Sequence, residues 1–157
     1  MGLHRALSPN SSANAEARSV TARSRACFAV SKGNRQLGRL VDELGRMVLE
    51  PGGNTEQFCA AFLDHNRSVL GRVQLGLGCE GALTFRMRQL FESALSRGAS
   101  AIIMAHNHPS GDCRPSKQDI DATERIAWIA RALDIELLDH LIFTETAVYS
   151  LRAGDVL

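Results

Sequence analysis

A short apolar run, Ala101-Ile102-Ile103-Met104-Ala105, constrains the fold more than any other stretch of the chain. A continuous run of this kind, without alternating polar residues, predicts a strand that is buried on both faces of a sheet. Such a strand lies at the centre of an α/β structure, with helices packed on the sheet. Two histidines, His106 and His108, leave its carboxyl end, which is the edge where open α/β sheets place their functional sites.

Apolar periodicity and turn residues predict the elements around this strand. The order is helix, two strands, helix, the apolar strand, helix and two more strands, which predicts an α/β fold with a mixed sheet. The first pair of strands reads as a hairpin. The helices are expected from 35 to near 51, at 84–97 and at 117–133, and the other strands at 56–63, 68–77, 135–143 and 147–151.

Charge is distributed unevenly along the 157 residues, whose formal net charge is +1. Residues 1–39 carry six arginines and one lysine against one glutamate, which leaves a net charge of −5 on the remainder. We expect residues 1–33 to be a disordered basic tail and residues 34–157 to be one folded domain. A nucleic-acid partner is weakly supported, because a phosphate-binding groove would place its basic residues on the folded part.

The four cysteines form no CxxC pair, and no signal peptide is recognised. They predict reduced thiols in a cytoplasmic protein. No apolar stretch approaches the length of about 18 residues that a membrane span needs, so no membrane partner is expected. Cys59 and Cys79 are expected to be small core residues, and Trp128 a packing residue.

His106 and His108 are the first two candidate metal ligands. Side chains two positions apart on an extended segment point to the same side, so both imidazoles can reach one ion. Asp119 follows a loop that contains prolines and a glycine, and it can return to supply a third ligand. Two histidines and a carboxylate, with a fourth position left for water, are typical of catalytic Zn²⁺.

Asp119 and Ser116 also fit the [ST]-x-x-[DE] capping box at the start of a helix. Capping and metal ligation are compatible, because a carboxylate has two oxygens. The Ser116 hydroxyl either caps the helix only or also stabilises an oxyanion, and the spacing leaves both roles open.

Hydrolysis at such a centre needs a general base, for which Glu56, Glu80 and Glu92 are candidates. Each of them by itself also fits a solvated surface charge. His140, in the strand predicted at 135–143, is expected to be a satisfied core histidine, with orientation of a metal ligand as the alternative role.

These residues resemble the metal motif of the JAB/MPN superfamily, which is a Glu, then His-x-His-Pro, then a spaced Ser-x-x-Asp. The resemblance is strongest to the RadC-like branch and covers about residues 35–157. The stretches that carry it are His106-Asn107-His108-Pro109-Ser110-Gly111-Asp112, Pro115-Ser116, Asp119, Leu137-Leu138-Asp139-His140-Leu141-Ile142 and Ser150-Leu151-Arg152.

The resemblance implies a cytidine-deaminase-like fold and a zinc site formed by His106, His108 and Asp119. It implies that Glu56, which begins the first strand after the first helix, is the base, and that Ser116 assists the oxyanion. The implied activity is that of a JAMM-type metallopeptidase, a zinc-dependent hydrolase that cleaves a peptide or isopeptide bond in a peptide or protein substrate. The alternatives are a DNA-processing accessory protein and a non-catalytic interaction module braced by zinc.

Three features depart from the family pattern. Arg88-Gln89 stands where an Arg-Glu pair is usual, with Met87 in place of the preceding proline. Cys113 stands where proline is common, and it is expected to be a partly exposed thiol rather than a fourth ligand. The helical module that precedes this domain in longer relatives is not recognised.

A deaminase is not expected, because the H-x-E…P-C-x-x-C signature is absent.

Overall fold

The elements follow one another in the predicted order. The computed structural model describes residues 35–50, 55–77 and 82–157, so the tail predicted at 1–33 lies outside the described residues. None of the helices in these ranges has the length and hydropathy to cross a bilayer. The elements are α1 (Arg35–Leu49), β1 (Gln57–Leu63), β2 (Val69–Leu77), α2 (Ala82–Ser96), β3 (Ala101–Asn107), α3 (Lys117–Ala132), β4 (Glu136–Phe143) and β5 (Val148–Ser150).

The strands form one mixed sheet in the order β2-β1-β3-β4-β5. Strand β3 pairs antiparallel with β1 and parallel with β4, whereas β2 and β5 pair antiparallel at the two edges. All seven residues of β3 are buried. The predicted α/β fold with a central apolar strand is therefore confirmed.

Helices cover both faces of the sheet, because successive side chains of a strand point to opposite faces. Helix α1 packs on one face with its residues Leu40, Val41, Leu44 and Val48. Helices α2 and α3 pack on the other face, where their apolar side chains meet Phe58, Ala60, Phe62, Ile102, Met104 and Leu137 of the sheet.

Strand β3 is longer than its apolar run predicted. It continues through His106, which pairs with Phe58 of β1, and through Asn107, which pairs with Phe143 of β4. Backbone pairing on both sides holds these polar residues in the sheet, although their side chains end the apolar pattern. The first candidate ligand is therefore held by a central strand rather than by a loop.

The expectation that Trp128 packs in the core is wrong, since it is 74% exposed. The buried stripe of α3 follows Thr123, Ile126 and Ala130, and Trp128 lies two positions after Ile126, on the other side of the helix.

Cys59 and Cys113 are both buried, which was predicted for Cys59 but not for Cys113. Cys113 was expected to be partly exposed, but it is buried, and burial raises the pKa of its thiol. The loop between β3 and α3 therefore encloses a side chain that the local sequence indicated to be at the surface. Cys59 lies in the core as predicted, and burial raises its pKa to about 12. Cys79 lies outside the described residues.

Candidate metal centre

The candidate centre forms where β3 and α3 approach each other. His106 is the penultimate residue of β3, His108 follows the strand directly, and Asp119 lies in the first turn of α3. One ligand-capable atom from each of the three residues lies within 4.8 Å of the other two. The structure thus brings the three predicted ligands together, and such a group can hold a metal ion.

The ring nitrogens and the carboxylate face one another. His106 Nε2 lies 2.9 Å from His108 Nε2 and 3.2 Å from Asp119 Oδ1. Asp119 Oδ2 lies 3.4 Å from His108 Nε2. The His106 ring is fully buried and stacks on Phe58, with ring centroids 4.6 Å apart. Core packing therefore fixes the direction in which His106 presents its Nε2.

His108 makes a hydrogen bond on the side of its ring that faces away from the centre, and this bond fixes which ring nitrogen carries the hydrogen. Its Nδ1 lies 2.7 Å from the backbone oxygen of Asp112, and because a carbonyl can only accept, Nδ1 carries the hydrogen. The Nε2 of the neutral ring then directs a bare electron pair at His106 and at the Asp119 carboxylate. Electron-rich atoms this close repel one another unless a positive charge lies between them. The donor set therefore fits a divalent cation such as zinc.

The ionisation of these side chains also favours a positive charge at this point. The hydrogen bond with Asp119 is the strongest influence on His108 and raises the pKa of its imidazole. Burial raises the pKa of Asp119, but hydrogen bonds with His106 and His108 outweigh burial and hold that pKa below its ordinary value. A proton can thus take the position of a cation, so a metal ion would compete with protons for the centre.

Asp119 also caps the helix on which it lies. The Ser116 hydroxyl accepts from the Asp119 N–H at 3.2 Å, and Asp119 Oδ2 accepts from the Ser116 N–H at 2.8 Å. The predicted capping box is therefore confirmed. Ser116 Oγ also donates to Asp119 Oδ2 at 2.6 Å, so its hydrogen points at the carboxylate and helps to hold it toward the histidines.

Glu56 lies immediately before β1 and shares an open cleft with the centre. The cleft has a volume of about 630 Å³, and its lining includes Glu56, His108 and Ser116. Glu56 is half-buried. Its charge adds to the raised pKa of His108, after the larger effects of the hydrogen bond with Asp119. Of the two predicted bases that the structure describes, Glu56 is therefore the one that shares a cleft with a candidate ligand.

Glu92, the second candidate base, does not line this cleft. Glu92 is exposed on α2 and pairs with Arg88 at 3.0 Å, one helical turn earlier, as expected for a solvated charge. Glu80 lies outside the described residues. Gln89, which departs from the family pattern, is half-buried on α2 beside this ion pair.

Sequence analysis missed a structural role for Asn107, the residue between the two histidines. Its Oδ1 accepts from the backbone N–H of Gln57 at 2.6 Å, and its Nδ2 makes a longer contact of 3.5 Å with the backbone oxygen of Thr55. These contacts flank Glu56 on both sides, so one buried side chain ties the Glu56 segment to β3. No local pattern could indicate a partner 50 residues away.

His140 lies in a hydrogen-bonded chain behind His106. Its Nε2 is 2.8 Å from His106 Nδ1, and its Nδ1 is 2.6 Å from Thr123 Oγ1. Burial is the strongest influence on His140 and lowers its pKa well below the ordinary value. His140 is thus a hydrogen-bonded core residue that also contacts a candidate ligand. The role of Thr123 was not predicted from the sequence. The one indication was its position four residues after Asp119, which places both residues on the same face of a helix.

The sequence that carries this centre is similar to known proteins. The family described as "RadC-like JAB domain" matches residues 36–156. A UPF0758 protein of Geobacillus sp. strain WCH70 is 42% identical over 97 residues, which cover 62% of this chain and 43% of that relative. A UPF0758 protein of Halalkalibacterium halodurans is 35% identical over 121 residues, which cover 76% of this chain and 52% of the relative.

The chain spans about half the length of the curated relatives that it matches. The names of these relatives describe no reaction. The similarity therefore concerns the domain at residues 36–156, and it leaves the reaction and the partners to be inferred from the centre itself.

Proposed function

This chain belongs to the RadC-like JAB domain family, and on that premise we propose that it is a zinc-dependent hydrolase of peptide or isopeptide bonds. One observation carries the proposal: His106, His108 and Asp119 converge on one point, and His108 lines an open cleft that Glu56 also lines. Metal ligands, an accessible cleft and a carboxylate for proton transfer are the parts that metal-assisted hydrolysis requires.

His106, His108 and Asp119 are the residues that would hold the ion. When bound, zinc would polarise the scissile carbonyl and lower the pKa of the attacking water. The Glu56 carboxylate accepts the proton of that water and delivers it to the leaving amine. Asn107 keeps Glu56 at the cleft through its contacts with the two neighbouring peptide units.

Ser116 is proposed to donate its hydroxyl hydrogen to the oxyanion of the tetrahedral intermediate. Ser116 lines the cleft, which supports this role. The hydrogen is directed at Asp119 Oδ2 in this structure, so the role requires rotation of the hydroxyl. The oxyanion role of Ser116 remains a prediction.

The proposed partner is a peptide or protein that enters the cleft. A nucleic-acid partner is less well supported, because residues 40–157 carry a net charge of −5, whereas phosphate binding needs a basic surface. The cytoplasmic location expected from the cysteines also remains a prediction.

The proposal is tested by replacing Glu56 with Gln and measuring zinc content and cleavage together. The substrates would be a fluorogenic peptide library and lysine isopeptide conjugates. We expect Glu56→Gln to keep stoichiometric zinc and to lose about 10²- to 10⁴-fold in rate, the typical contribution of a general base. Glu92→Gln is the matched control, since Glu92 is exposed and paired with Arg88, and it should keep both zinc and activity.

The outcomes separate the proposed hydrolase from its alternatives. Wild-type protein that contains no zinc after loading would contradict the metal centre itself. Stoichiometric zinc without cleavage of any substrate in the set would instead favour a zinc-braced interaction module. Equal rates for the wild type and Glu56→Gln would remove Glu56 from the mechanism.

A further inference from the structure

The hydrogen-bonded chain behind His106 begins and ends at the candidate centre. It runs from His106 Nδ1 to His140 Nε2, and from His140 Nδ1 to the Thr123 hydroxyl. Thr123 Oγ1 then donates to the backbone oxygen of Asp119 at 2.5 Å. Asp119 therefore ends the chain with its backbone, while its side chain faces the candidate metal position.

The backbone carbonyl of Asp119 sets the direction of every hydrogen in this chain. Two oxygens 2.5 Å apart need a hydrogen between them, and only Thr123 can supply it. The Thr123 oxygen must then accept from His140 Nδ1–H. An imidazole whose one hydrogen is on Nδ1 has a free electron pair on Nε2, so His140 Nε2 accepts from His106 Nδ1–H. This order leaves His106 Nε2 without a hydrogen, as a metal ligand requires.

His106 differs in this respect from His108. The partner of His108 Nδ1 is a backbone carbonyl, which can only accept and therefore fixes the tautomer directly. The partner of His106 Nδ1 is an imidazole, which accepts in one tautomer and donates in the other. If His140 donated, His106 would carry its hydrogen on Nε2, which faces the centre. An additional residue is needed to fix His140, and Thr123 occupies that position.

We infer that Thr123 and His140 are positioning residues that fix the tautomer of His106 and thereby increase the zinc affinity of the centre. The inference rests on the proposed metal site and deepens it. Neither residue belongs to the group of candidate ligands. Both act through the hydrogen on His106 Nδ1. Thr123 lies one helical turn after Asp119 on α3, so the same helix carries one candidate ligand and orients a second.

The test compares zinc affinity in the wild type, Thr123→Val and Thr123→Ser by competition with a chromophoric chelator. Valine keeps the shape of threonine but removes the hydroxyl, so we expect zinc binding to weaken about 10- to 100-fold, the usual cost of losing an outer partner of a ligand. Serine keeps the hydroxyl and should retain wild-type affinity. Nitrogen-15 NMR of the histidine side chains reports the tautomers in the same samples.

The expected wild-type spectrum at pH 8 without metal places the hydrogen of His140 on Nδ1, and in Thr123→Val this preference is lost. A hydrogen on His140 Nε2 in the wild type would overturn the inference, even if the valine variant does not fold. Equal zinc affinities for wild type and Thr123→Val would also overturn it, while leaving the metal centre intact. A wild type without any zinc affinity would contradict the proposed function instead.

Discussion

Single residues of this protein serve two purposes at once, and Asp119 shows how. Its Oδ1 faces His106, and its Oδ2 faces His108 while it also accepts from Ser116. The sequence allows capping and ligation together, and the geometry accommodates both, because Oδ1 faces His106 while Oδ2 accepts from Ser116 and still lies near His108. A carboxylate held by its own helix cap loses little further freedom when it binds an ion.

Asn107 gives a prediction at the same scale. Replacing it with Ala leaves the buried N–H of Gln57 without its acceptor, which should lower the free energy of unfolding by about 1–3 kcal/mol. The Glu56 segment should also loosen, so amide hydrogen exchange at Gln57 should accelerate and cleavage should fall while zinc stays bound. Denaturant unfolding, hydrogen exchange and zinc content measure the three effects.

Gln74→Ala is the control for Asn107. Gln74 is exposed, and its side chain donates to the side-chain amide oxygen of Gln57 at 3.3 Å. Its replacement should change stability by no more than about 0.5 kcal/mol. Unchanged exchange at Gln57 in Asn107→Ala would show that Asn107 does not hold the Glu56 segment.

At the scale of elements, α1 packs closely on the sheet because Gly45 has no side chain. A Cβ added at Gly45 would lie 2.9 Å from Cε1 and 3.2 Å from Cδ1 of Phe143, at the end of β4. Phe143 is itself buried, so the ring cannot turn away freely. The close approach of α1 to β4 therefore requires glycine at this position.

Gly45→Ala tests this contact. Alanine favours the helix by about 0.5–1 kcal/mol, but overpacking in a filled core costs about 1–3 kcal/mol. We expect the clash to dominate and the free energy of unfolding, measured in urea, to decrease. In a Phe143→Leu background the same substitution should be neutral or stabilising, and an equal loss in both backgrounds would contradict the proposed clash.

At the scale of the whole molecule, the candidate centre links separate parts of the chain. Its three ligands come from β3, from the residue after it and from α3, and the chain behind His106 adds β4. Such a centre exists only in the folded protein, so metal binding adds to the stability of the whole domain.

Zinc should therefore raise the melting temperature. At free zinc of about 100 times Kd the added stability is about 2.7 kcal/mol, which corresponds to an increase on the order of 5–15 °C for a domain of this size. Differential scanning fluorimetry with zinc and with a chelator measures the shift. Asp119→Ala should abolish it, whereas replacement of the exposed His65 in the β1–β2 turn should leave it unchanged.

The elements could be predicted from the sequence to within a few residues, because helix and strand periodicity and turn residues are local signals. The convergence of the three candidate ligands could also be predicted, because residues two positions apart on a strand and at the start of a helix have defined directions. Trp128 and Cys113 could not be placed, because their exposure depends on which face of α3 meets the sheet and on how the 108–116 loop folds back.

The amino-acid sequence by itself determined the α/β class, the central strand and the set of side chains that can bind a metal, since all three depend on residue type and short spacing. The tertiary structure alone decided that Glu56 shares a cleft with His108, that Asn107 contacts the segment carrying Glu56, and that Thr123 and His140 stand behind His106. These are contacts between elements distant in sequence, and only the packing of the sheet against its helices brings them within hydrogen-bonding distance.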